Sequence, residues 1–237
     1  MRPEDIDALL FDVGGTVFDW RTGTMPLVED IVRARGGSLD AAAIARDWHR
    51  TGFAMMDEVR IADRPFCHMD ELRRIAARKV NERHPGLDLT EADMERMNAA
   101  WHELPPFSDS VEALRRLRSR FKVVVMTVQR FGTILDASKQ AGIVWDGILS
   151  CEFLGVYKPS LESYRRGAAL VGAPRERCLM VGAHIGDARA GRLAGLKAAF
   201  IMRDTEYGPK DEIPKLPASG VDMNATSLAD LADQLGC

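Results

Sequence analysis

The stretch "LLFDVGGTVFDW", Leu9 to Trp20, decides how the chain is read. Leu9, Leu10 and Phe11 run into Asp12, the chain turns through Gly14 and Gly15, and Thr16 follows. Such a run is a short buried strand that ends on a carboxylate. The two glycines let the backbone reverse without side-chain obstruction. Taken alone, Asp12 is either a turn cap, a common task for aspartate before glycine, or an exposed nucleophile able to form an ester that water later cleaves.

Outward from this turn the pattern changes twice. From about Thr24 to Leu104 the chain reads as helix after helix. "MPLVEDIVRARGG" puts Leu27, Val28, Ile31 and Val32 on one face and stops at a glycine pair. Ile44, Trp48, Met55 and Val59 recur at roughly helical spacing, as do Leu72, Ile75, Ala76 and Val80. A fourth helix begins at a Thr90 cap and carries Met94, Met97, Trp101 and Leu104. Four amphipathic helices without strands make a small bundle.

After "PPF" strands and helices alternate. "KVVVMT", "GILS", "RCLMVG", "KAAFIM" and a weak strand near "VDMNATS" are separated by helical segments, the first of them placing Val111, Leu114 and Leu117 inward. Apolar strands of this length between helices imply an α/β fold with a parallel sheet covered on both faces. Its first strand is the one before Asp12, so the helical block, about 19–105, is an insertion. In such sheets the functional crevice lies beyond the carboxyl ends of the strands. Asp12, Thr127, the "GVYK" loop and "GAHIGD" all follow strands and are expected at that edge.

Composition narrows the classes. The chain has 237 residues, 46% of them hydrophobic, and a formal net charge of −3. That supports a sizeable core and offers no basic excess for nucleic acid. No apolar run approaches a membrane span, and "MRPEDIDALL" lacks the sections of a signal peptide. Four scattered cysteines without metal-ligand spacing suit a reduced, cytoplasmic protein.

Several side chains at the expected edge carry chemistry. Lys158, in "VYKPS", is either a solvated lysine or the ammonium that keeps Asp12 ionised. Thr16 and Thr127 are strand-end hydroxyls that can also donate to a nucleophile or an anion. Asp187 can cap the following helix. His184 is a loop histidine, or the base whose ordinary pKa suits activating water. Arg50 and Tyr164 are candidates for substrate contact, against a surface salt bridge and helix packing respectively.

The ordered set Asp12-x-Gly-Gly-Thr16, Thr127 after "VVVM", Lys158-Pro159 and Asp187 resembles the haloacid dehalogenase superfamily. The resemblance covers the whole chain and implies a Rossmann-like core, 1–18 and 106–237, with a helical cap, 19–105. Phosphatases of that superfamily carry an aspartate two places after the nucleophile and another four places before the one matching Asp187. Here Gly14 and Ala183 stand there, which disfavours magnesium, an ion that wants charged oxygen ligands. What remains is similar to the type II (S)-2-haloacid dehalogenases, through "FDVGGTVFDWR", "YKPSLESY", "MVGAH" and "FIMRDTEYGP".

That resemblance implies attack by Asp12 on the halogen-bearing carbon of a small 2-haloacid, without metal or other cofactor, and hydrolysis of the ester to a 2-hydroxy acid. It implies that Arg50 matches a cap arginine and Tyr164 the tyrosine six places after the lysine, and the family's habit points to a homodimer. Three departures bear on rate and substrate choice. Gly14 replaces an aromatic residue, Val128 an asparagine, and Gly182 a serine. Two other readings stay open: a phosphatase or phosphonate hydrolase, the latter needing a cap lysine for which Lys79 is the only candidate in that block, and a protein that binds small anions without turnover.

Overall fold

The computed structural model describes residues 1–60, 66–206 and 216–237, the side chain of Arg60 excepted. Six parallel strands form one sheet: β1 (Ala8–Phe11), β2 (Lys122–Thr127), β3 (Gly147–Ser150), β4 (Cys178–Gly182), β5 (Lys197–Ile201) and β6 (Met223–Ala225). Their order is β3-β2-β1-β4-β5-β6. β1 is therefore central, and the direction of winding reverses beside it, where such sheets open a crevice. Phe11 pairs with Val125 on one side and Val181 on the other. Residues just beyond those partners emerge at the same edge as Asp12.

Strand alternation divides the core into two clusters. Leu9, Phe11, Val123, Val125, Leu179 and Val181 belong to one. It is completed by α5 (Ser110–Arg118), α6 (Phe131–Ala141) and α10 (Leu228–Gln234). Ala8, Leu10, Val124, Met126 and Met180 belong to the other, with α8 (Leu161–Val171), α9 (Ile185–Leu193) and the single turn α7 (Cys151–Leu154). Both faces of the strands are thus dry, which is why the strands read as unbroken apolar runs.

Between β1 and α5 lie α1 (Trp20–Ala34), α2 (Ala41–Arg60), α3 (Met69–Arg83) and α4 (Glu91–Ala99). α2 packs on α1 and α3, and α4 packs on both of those helices in turn. The chain leaves and re-enters the sheet side by side. Asp19 N–H donates to the Pro105 carbonyl (2.8 Å) and Phe107 N–H to that of Val17 (2.9 Å). α1 starts earlier than the apolar spacing suggests, because Asp19 accepts from Thr22 N–H at 3.0 Å and caps it. Val111, expected inward, is exposed; Ser110, Ala113, Leu114 and Leu117 form the buried side of α5.

Candidate active site

Asp12 leaves β1 buried, with hydrogen-bond partners on both oxygens. Its Oδ1 accepts from Lys158 Nζ at 2.9 Å, and its Oδ2 accepts from Thr16 Oγ1 at 2.9 Å and faces His184 Nδ1 at 3.1 Å. The turn that brings Thr16 back to Asp12 needs Gly15 in the left-handed region, at φ +77°. Thr16 Oγ1 in turn accepts the Ala183 N–H at 2.9 Å, so its single proton is directed at Asp12.

Lys158 Nζ also reaches Asp187 Oδ2 at 2.7 Å. One ammonium thus spans two carboxylates with both partners nearly out of water. Burial alone would raise the Asp12 pKa, yet the Lys158 and His184 cations hold it far below the ordinary carboxylate range. Burial likewise opposes the Lys158 charge, and Asp12 with Asp187 more than offsets it, so Lys158 lies above its usual value. Asp12 is thus held as a carboxylate at any ordinary pH.

A cleft of about 170 Å³ opens over this cluster, lined by Asp12, Gly14, Val128, Gln129, Lys158, Pro159, His184, Gly186 and Asp187 from the core and by Phe53 and Met56 from α2. A larger hollow of about 570 Å³ between α6 and β3 shares none of these residues, and Lys139 is its one charged side chain. The charged cluster borders the smaller space.

Several expected residues fall elsewhere. Arg50 is exposed and does not line the cleft. On α2 the cleft takes Phe53 and Met56; Arg50 stands three places before Phe53, so helical spacing alone does not separate it from that row. Tyr164 is fully buried on α8 and donates its hydroxyl to Asp187 Oδ1. Its hydroxyl orients that carboxylate, and Tyr164 is not among the residues lining the cleft. Thr127, also fully buried, accepts the Gln129 N–H at 3.0 Å. Asp187 lies in the first turn of α9 and gives both oxygens to Lys158 and Tyr164, so it is not the helix cap. Gly14 and Val128 do line the cleft, and a Cβ placed at Gly182 would stand 3.4 Å from the Asp12 Cβ. Of the final stretch, Tyr207, Gly208 and Pro209 lie outside the described residues.

Two residues escaped the sequence reading. Gln129 is buried, and its Oε1 has no hydrogen-bond partner among the described residues. A Cβ placed at Gly14 would stand 3.3 Å from its Nε2. The amide therefore lies where a side chain at position 14 would begin. Glu206, 3% exposed, has its Oε1 at 2.8 Å from His184 Nε2 and 3.2 Å from Trp20 Nε1. Burial would lower the His184 pKa, but Glu206 and Asp12 raise it well above the ordinary histidine value. At neutral pH His184 is a donor, so the water-activating base expected from the sequence is not its resting role.

The donor set does not suit a divalent ion of the phosphatase kind. The Asp12 and Asp187 oxygens are held by Lys158, Thr16, His184 and Tyr164, and Ala183 offers no carboxylate. An ion there would have to displace an ammonium and an imidazolium from the same two acids.

A family profile described as haloacid dehalogenase-like hydrolase matches residues 6–195. This chain belongs to that family. Within it, the chain is similar to the solved defluorinating L-2-haloacid dehalogenase Rha0230, at 31% identity over 100% of this chain and 99% of that one, with a TM-score of 0.92. The L-2-haloacid dehalogenase PA0810 is 31% identical over 97% and 98% of the two chains, with a TM-score of 0.88. An (S)-2-haloacid dehalogenase of Pseudomonas fluorescens is 25% identical over 98% of this chain and 97% of its own. A haloacid dehalogenase-like hydrolase of this chain's length is thus matched along its whole extent.

Proposed function

We propose that the protein cleaves the carbon–halogen bond of a small (S)-2-haloacid through an ester on Asp12, without a metal. The observation that carries this is the Asp12–Lys158–Asp187 bridge. A buried carboxylate is kept ionised by an ammonium at 2.9 Å, at the floor of a cleft whose other walls are largely apolar.

Asp12 Oδ2 already has two donors, whereas Oδ1 has Lys158 alone. Oδ1 therefore retains a lone pair for attack. Displacement at C2 forms an Oδ1–C2 bond as the halide leaves with the bonding pair, inverting the carbon. Water then adds to the Asp12 Cγ, the Cγ–Oδ1 bond breaks, and the 2-hydroxy acid departs with that oxygen. One water proton ends on the product hydroxyl and the other passes to solvent. Asp12 regains its carboxylate with an oxygen from water.

The helical segment 19–105 acts in this reading as a cap, its Phe53 and Met56 shutting out bulk water. Among the described residues no arginine lines the cleft. The substrate carboxylate is placed against Gly186 at the N-terminal end of α9, which favours anions, and against Gln129. An imine route is disfavoured because Lys79 is exposed on α3. Halide release from chloroacetate and 2-chloropropionate, with and without chelator, tests the proposal. Release that resists chelator and disappears in Asp12→Asn is expected. Chelator-sensitive phosphate release from phosphate esters, or no turnover of either class, would replace it.

A further inference from the structure

The contacts of His184 favour one protonation state, with an ionised acid facing each ring nitrogen. Oε1 of Glu206 faces Trp20 Nε1 at 3.2 Å as well as His184 Nε2 at 2.8 Å. An indole nitrogen can only donate, so Oε1 accepts from it, and an ionised Glu206 calls for a proton on Nε2. On the other side, Asp12 Oδ2 accepts from Thr16, whose direction is fixed by the Ala183 N–H. Nδ1, 3.1 Å from the same oxygen, must also carry one. Glu206 is itself clamped: a Cβ at Gly15 would come within 2.1 Å of Oε1. The carboxylate sits in a notch that only glycine leaves open.

We infer that Glu206 is a positioning residue that holds His184 as an imidazolium, and that His184 Nδ1–H with Thr16 Oγ1–H forms the oxyanion hole for hydrolysis of the Asp12 ester. The inference rests on the hydrolytic reading of Asp12. In the ester Oδ1 is bonded to substrate, and Oδ2 becomes the carbonyl oxygen that turns negative when water adds to Cγ. Two donors already aimed at Oδ2 meet that charge without rearrangement, the arrangement that contributes most to such steps. Collapse of the tetrahedral species breaks Cγ–Oδ1 and returns the charge to the Asp12 carboxylate, leaving His184 protonated throughout. Attack on carbon needs no such donors, so the device serves the second half-reaction.

The charged groups around the imidazolium are Asp12 after β1, Glu206 after β5, Lys158 beyond α7, and Asp187 on α9. His49 on α2 stacks on Trp20 with ring centroids 3.9 Å apart. Burial, followed by the positive charges of His184, Arg73 and Arg50, pushes the His49 pKa down to about 3, so it adds no competing charge. Arg203, on the same loop as Glu206, is paired with Asp109 at 2.9 Å.

Two measurements test this. In the native protein labelled at histidine nitrogen, both His184 ring nitrogens are expected to be protonated at pH 7, the signal being assigned by its loss in His184→Gln; a neutral tautomer would overturn the inference. Glu206→Gln is then treated with 2-chloropropionate. Halide burst is expected to persist while the alkyl-enzyme accumulates in the intact mass spectrum. Ester hydrolysis should slow about tenfold, less than the roughly hundredfold cost of deleting a donor outright. Equal slowing of both half-reactions, or no accumulation, would overturn it. A native enzyme that releases no halide from any 2-haloacid would instead remove the reading beneath, and the ring-nitrogen result would still stand on its own.

Discussion

Replacing Lys158 by methionine keeps the side-chain length and removes the charge that joins Asp12 to Asp187. Lys158 is 4% exposed and its ammonium lies 2.9 and 2.7 Å from the two acids. Removing one partner of a buried ion pair costs about 3–5 kcal/mol, because the other charge is left uncompensated. Here two carboxylates would be stranded, which argues for the upper part of that range. For a chain of this size the melting temperature should fall by roughly 10 °C or more.

The pH dependence has a definite sign. In the native protein the Asp12 pKa is depressed, so its contribution to stability is present above the unfolded carboxylate value and fades only as pH falls through the folded value. In Lys158→Met the ammonium is gone and burial pushes the same carboxyl upward. The variant's deficit should therefore be largest at pH 7 and shrink toward pH 5. Adding Asp12→Asn removes one stranded charge, and the double variant should be more stable than the sum of single effects by about 1–3 kcal/mol. Urea unfolding of the four proteins at both pH values gives the comparison. A Lys158→Met loss below about 1 kcal/mol, or strict additivity, would refute the electrostatic reasoning.

Further outcomes follow from the same geometry. Tyr164→Phe deletes the hydroxyl on Asp187 and leaves that oxygen short of a donor, costing about 1–3 kcal/mol of stability; steady-state kinetics should show kcat falling with KM nearly unchanged. Gly15→Ala forces a side chain into the left-handed region at φ +77° and onto Glu206, with a penalty of at least about 1–2 kcal/mol from the backbone alone, measurable by thermal melts. Phe53→Ala widens the cleft of about 170 Å³, and the ratio of kcat/KM for 2-chlorobutyrate over chloroacetate should rise.

The sheet and the floor of the site were readable because each rests on local signals. Leu9 to Phe11, "KVVVMT" and "RCLMVG" are apolar runs that only a doubly covered sheet buries, and Asp12, Lys158 and Asp187 follow strands whose edge is shared. Helix phase was also present in the letters: Ile44, Trp48 and Met55 are buried, whereas Arg50, three places before Phe53, is not kept from the cleft by spacing alone. Glu206 left no such trace. It lies in irregular chain after β5, and its meaning arises from Trp20 and His184, which are distant in sequence. Gln129 follows Val128 by one place, and its approach to Gly14 is set by the loop after β2, which apolar spacing does not encode.

The central claim is that Asp12 forms and loses a covalent bond to substrate carbon. It is tested most directly by a single turnover in ¹⁸O water with enzyme in excess over (S)-2-chloropropionate, followed by mass analysis of the peptide carrying Asp12. The account predicts heavy oxygen in the Asp12 carboxylate and ordinary oxygen in the hydroxyl of the product. Heavy oxygen in the product alone would mean that water attacks the substrate directly, and would contradict it.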